Sequence, residues 1–119
     1  MKLKVGNPEL VPMIIFLKKK SDETKARIWK DVGGRLNKSR RLRATVNISE
    51  INRSTSAGDV VIVPGKVLGA GMLVHPVSVA SPAFSKQAKD KIMKAGGKCL
   101  TIQELTVENP KGSGIKIIG

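Results

Sequence analysis

The sequence predicts a small mixed α/β protein: a single domain over residues 1–119, with a basic helical N-terminal region at 1–43 and a mixed α/β core at 58–119. Three observations predict it. Apolar residues recur at helical spacing before residue 37, as Leu10, Ile14 and Leu17 and then as Ile28, Trp29, Val32 and Leu36. The β-branched run Val60-Val61-Ile62-Val63, bounded by Gly58-Asp59 and Pro64-Gly65, has the composition of a strand buried on both faces. After it, strand-like and helix-like segments alternate to the C-terminus. A chain of 119 residues suits one domain, and with 40% hydrophobic but only 3% aromatic residues its core must be aliphatic.

The first helix is expected to start at Asn7-Pro8-Glu9, where Asn caps free amides, Pro suits the first helical position and Glu complements the dipole. Pro12 is awkward beyond a first turn and predicts a kink or a later start. The helix is expected to end in Lys18-Lys19-Lys20, with Ser21-Asp22 capping a second helix that Gly33-Gly34 weakens near its end. Trp29 is expected in the core. Residues 44–57 form a connector with a short strand or helical turn around Val46, Ile48 and Ile51.

Pro64-Gly65 should turn the backbone and place Lys66 at the turn, ahead of Val67-Leu68. The glycines at 58, 65, 69 and 71 suit a chain that bends tightly or lets another large molecule approach. Residues 74–80 alternate as a strand, and Pro76 places it near an edge. Ser81 to Ser85 lead into a helix over Lys86 to Ala95, stopped by Gly96-Gly97. Lys98 to Leu100 is a short strand, and Thr101 with Glu104 makes a capping-box pattern for a brief helix. Asn109-Pro110-Lys111-Gly112 is a turn with an exposed cation, and Ile115 to Ile118 is a closing strand.

Charge bears most directly on function. Twenty-two Lys and Arg against nine Asp and Glu give a net +13 and a pI near 10.3, which attracts polyanions and above all nucleic acid. Residues 1–60 hold 14 cations and 6 anions, so the N-terminal half is the more basic. Arg35 to Arg43 has five cations in nine residues and no acid. Such a run is by default a solvated loop or helix end, and its guanidinium forks also match phosphate oxygens. The RNA-contact candidates are Lys18, Lys19, Lys20, Arg35, Lys38, Arg40, Arg41, Arg43, Lys66 and Lys111. The Lys86 to Lys94 segment has the pattern of a solvated helix face.

Other chemistries find no support in the residues. Gly65-Lys66 is followed by Val67, not Ser or Thr, and no glycine stands five residues before Gly65, so the phosphate-loop motif is absent. Gly69-Ala70-Gly71 is half of a dinucleotide fingerprint, with Val74 where the third glycine belongs. His75 is the single histidine and Cys99 the single cysteine; neither has the neighbours for a metal or nucleophilic site. No disulfide within the chain follows, and Cys99 reads as a small buried hydrophobe. A helix-turn-helix over 8–36 lacks a base-reading series of Arg, Asn and Gln. No cofactor, small-molecule substrate or membrane partner is expected; the longest apolar run near the N-terminus, Met13 to Leu17, is too short to span a bilayer, and a cytoplasmic location is expected.

Asn7-Pro8-x-Leu10, Trp29, Arg40-Arg41-x-Arg43 before Val46-Asn47, Gly58-Asp59 to Gly71, Phe84-Ser85, Ala95-Gly96-Gly97 and Asn109-Pro110-Lys111-Gly112 occur in this order. Together they resemble the ribosomal protein L-eighteen-e family, large-subunit proteins of archaea and eukaryotes related to bacterial L-fifteen. The resemblance spans nearly the whole chain, and Val63-Pro64-Gly65-Lys66-Val67-Leu68-Gly69 is its most specific part. It implies an irregular superhelix of β and α units with N-terminal helices, no enzymatic activity, and a structural role in the large subunit. The implied partners are large-subunit rRNA and neighbouring large-subunit ribosomal proteins. The chain has no long extension after Gly119, so an archaeal member is expected. The alternative is a general nucleic-acid-binding protein outside the ribosome.

Overall fold

The computed structural model describes residues 10–37 and 44–119, with a mixed α/β architecture. The expected helix start at residues 7–9 lies outside the described residues. Contacts divide the chain into two compact units.

One unit contains α1 (Leu10–Thr24), α2 (Arg27–Leu36) and residues 103–113, which include most of α5 (Ile102–Glu108). Ile14 and Leu17 of α1 and Trp29, Val32 and Leu36 of α2 are fully buried, as their spacing predicts. Pro12 is the third residue of α1, within the first turn, where the missing N–H costs little. The break expected at Ser21-Asp22 does not occur: α1 runs through Lys18-Lys19-Lys20 to Thr24. What stops it is Lys25, whose φ of 61° is left-handed. Thr24 steadies the exit, its Oγ1 donating to Lys20 O at 2.7 Å and accepting from the Ala26 N–H at 3.3 Å. The Trp29 indole donates to Pro110 O at 2.7 Å, and the turn that follows α5 closes with Asn109 Nδ2 on Ser113 O at 2.9 Å.

The other unit contains Ala44–Ile102 and Gly114–Gly119. Its strands are β1 (Ala44–Asn47), β2 (Val60–Ile62), β3 (Gly65–Leu68), β4 (Ser78–Ala80), β5 (Ala83–Phe84), β6 (Lys98–Leu100) and β7 (Ile115–Ile117), and its helices are α3 (Ile48–Ser54) and α4 (Lys86–Lys94). One sheet has the order β1-β3-β5 and the other β6-β4-β2-β7, with every pairing among the described residues parallel. β2 is flanked on both sides, and Val61, Ile62 and Val63 are fully buried, as its apolar run predicts. The core joins Val46, Ile48, Ile51, Val61, Val63, Val67, Val77, Val79, Ala88 and Ile92.

Three local expectations need correction. The connector at 44–57 holds both a strand and a helix, because Asn47 and Glu50 form a capping box, the Asn47 N–H reaching Glu50 Oε1 at 3.5 Å. Lys66 is not at a turn: Pro64 ends the passage from one sheet to the other, and Gly65 already begins β3, which puts Lys66 on the strand's exposed side. The segment 74–80 is a strand only from Ser78, and β4 lies inside the edge strand β6. Pro76 is tolerated because it precedes the ladder, and its carbonyl accepts from the Gly58 N–H at 2.8 Å.

Candidate nucleic-acid interface

The side chains expected to carry function are cations, so the question is which of them are presented outward and which are spent inside the fold. Lys18 and Lys19 are exposed on α1, but consecutive helical residues diverge by about 100°, so they fan outward and do not share a face. Lys20 is turned inward, half-buried, 3.7 Å from Glu23 and 6.0 Å from the Phe16 ring centroid. On α2, Arg35 Nε stands 3.5 Å from Asp31 Oδ1. Both pairs reach solvent and cost little to open when a phosphate competes. Lys38, Arg40, Arg41 and Arg43 lie outside the described residues. Sequence reasoning passed over Arg27 and Lys30, which line a concavity along α2 with Asp31, Gly34 and Arg35. Their spacing of three and four residues is the signal that would have found them.

Lys111 is exposed on a built turn. The Gly112 N–H bonds Asn109 O at 3.0 Å, Gly112 takes φ 67°, and a Cβ there would stand 2.3 Å from Ile28 Cγ2, so only glycine lets this turn lie against Ile28. Lys66 stands on β3 with no partner among the described residues.

The glycine-rich stretch after β3 is occupied from within. Lys91 of α4 donates to Gly69 O and Gly71 O, both at 2.6 Å, and the Ser49 N–H takes Ala70 O at 3.1 Å. Gly69 is pressed on Gln87 and Gly71 on Ser49. The close approach that these glycines allow is therefore to α3 and α4. Lys91, expected on a solvated face, works as an internal fastener. Met72 and Val74 remain exposed beyond it, with the Val74 N–H held by Asn52 Oδ1 at 3.1 Å.

His75 bonds Thr55 Oγ1 at 2.8 Å, a structural tie. Burial raises the Cys99 thiol above its ordinary pKa, and Cys99 packs against the core. The Ser56 N–H and then Lys116, at 3.0 Å, hold Asp59 below the ordinary carboxylate pKa. Among the described residues no group of three His, Cys, Asp or Glu could hold a metal, and no helix is long and apolar enough to cross a membrane.

The arrangement is thus a set of outward cations on two folded units, with no acid–base pair assembled among the described residues. Comparison with known proteins places the chain in a family. The model of the family described as "Ribosomal protein 60S L18 and 50S L18e" matches residues 5–119. The large ribosomal subunit protein eL18 of Archaeoglobus fulgidus is 47% identical over 116 residues, covering 98% of this chain and 99% of that one. The proteins of the same name from Methanothermobacter thermautotrophicus and Methanococcus maripaludis are each 50% identical over 117 residues, covering 98% of this chain and 97% and 98% of theirs.

Proposed function

Because this chain belongs to the family of ribosomal proteins 60S L18 and 50S L18e, we propose that it is a structural constituent of the large ribosomal subunit that binds and stabilises folded large-subunit rRNA. The observation that carries the reading is the match over residues 5–119, with relatives of that name aligned end to end at 47–50% identity. The net charge of +13 supplies the physical means. Each phosphate neutralised by a lysine or arginine releases condensed counterions, so affinity is strong at low salt and falls as salt rises. Helical RNA offers protein side chains mainly its backbone and 2′-hydroxyls, so recognition is of RNA shape.

The contacts are assigned to Lys18, Lys19, Lys20, Arg35, Lys38, Arg40, Arg41, Arg43, Lys66 and Lys111. Lys20 and Arg35 must first leave Glu23 and Asp31. Neighbouring ribosomal proteins are the other partners, and the place of work is the cytoplasmic ribosome. The role is architectural, not enzymatic. The test is to tag the protein in its own cell and fractionate the lysate on a gradient in high salt. It is expected with the large subunit at one copy per particle; migration free or with DNA would overturn the reading.

A further inference from the structure

Parallel sheets are ordinarily covered on both faces, because their crossover connections lay helices over each. The β1-β3-β5 sheet departs from this. Its inner row, Val46, Val67 and Phe84, packs in the core. On the opposite side the register aligns Thr45 with Lys66 and Lys66 with Ala83, and all three are exposed. The next row on that side, Asn47 and Leu68, is half-buried. The open row is therefore a low floor of a methyl and a hydroxyl with one long cation rising from its middle strand.

We propose that this open sheet face seats the sugar–phosphate backbone of folded RNA, with the Lys66 ammonium on a phosphate and the Thr45 hydroxyl beside it. The inference rests on the rRNA-binding reading and goes further by naming the surface. Neighbouring strands lie about 4.8 Å apart, so the three-residue row is about 10 Å across, comparable with a nucleic-acid strand. Thr45 and Ala83 are short, so the Lys66 ammonium is the row's highest point and is open to a phosphate from above. Lys66 Nζ has no carboxylate to leave among the described residues, unlike Lys20 and Lys116. A protein partner would require a large apolar anchor, and the row offers only the Thr45 and Ala83 methyls and the lysine stem. Charge and relief both favour RNA.

The experiment places the photo-crosslinker benzoylphenylalanine at Ala83 in the full-length protein, assembles it into large subunits in its cell, and irradiates the salt-washed particles. An adduct to rRNA is expected. An adduct to a ribosomal protein, or none from a subunit that contains the variant, would overturn the proposal. Absence of the unsubstituted protein from the subunit would instead overturn the functional reading beneath it. In parallel, Lys66→Ala and Lys94→Ala are titrated against large-subunit rRNA. Each removes one charge, but Lys94 is exposed on α4. Loss of a phosphate contact at Lys66 should lower the slope of log affinity against log salt by about 0.7–0.9, so the Lys66→Ala defect shrinks about threefold between about 50 and 200 mM salt. Equal behaviour of the two variants would count against the site.

Discussion

Gly71 and Gly34 show how one residue type carries opposite consequences. Gly71 has φ 97°, and a Cβ there would stand 2.4 Å from Ser49 Cβ, whereas a Cβ on Gly34 within α2 would meet nothing within 4 Å. Gly71→Ala should therefore destabilise by more than about 1 kcal/mol, while Gly34→Ala should stabilise by up to about 1 kcal/mol, as alanine does in a helix interior. Chemical denaturation of the two variants checks the pair of signs. Asp59 gives a pH signature. Its folded-state pKa lies below 3.8 because the Ser56 N–H and Lys116 favour the carboxylate. Its contribution to stability is present above the unfolded value and is lost as the pH falls through the folded one. Asp59→Asn should thus flatten the acid limb of stability below about pH 4 and leave the shape of the curve near neutrality unchanged, which thermal melts across pH would reveal.

Among the elements, the loop between β3 and β4 departs most from what its sequence implies. Glycine at 69 and 71 announces a close approach but not to what. The answer depends on Lys91, twenty residues away, whose side chain reads locally as a solvated cation. Lys91→Met should cost about 1–2 kcal/mol, since hydrogen bonds from a charged donor contribute more than neutral ones but the Gly71 end is exposed. Amide exchange at Ser49, whose N–H bonds Ala70 O of this loop, and at Val74 in the loop, whose N–H bonds Asn52 Oδ1 of α3, should speed up. Elements whose cause is local were legible in the sequence: the buried strand at 60–62, the helix capped by Ser85, and the stripe through Trp29. Those that depend on distant pairing were not. Lys66 reads as a turn residue because nothing near it in sequence reveals that β3 pairs with β1 and β5. Of the candidate site, the charge and the lysines at 18, 19, 66 and 111 were legible as exposed cations, while the open face beneath Lys66 emerges only from register.

For the whole molecule, charge governs binding. Replacing Arg40, Arg41 and Arg43 together by Ala removes three of 22 cations, and the salt slope for rRNA should flatten by about 2–3. Unchanged slope in filter-binding titrations would remove that segment from the interface. The fold class was legible because alternating strand and helix signals after residue 58 have few other solutions; the partition into two sheets was not, since parallel pairing leaves no hairpin signature. That same topology sets a birth order. Val60 pairs with Ile115, so β2 is synthesised 55 residues before the strand that covers its outer side. At roughly 5–20 residues per second, an apolar edge waits about 3–11 s for its last neighbour. The sheet can be completed only once residues 115–117 have emerged, so a nascent chain stalled short of residue 115 is the species most exposed to aggregation.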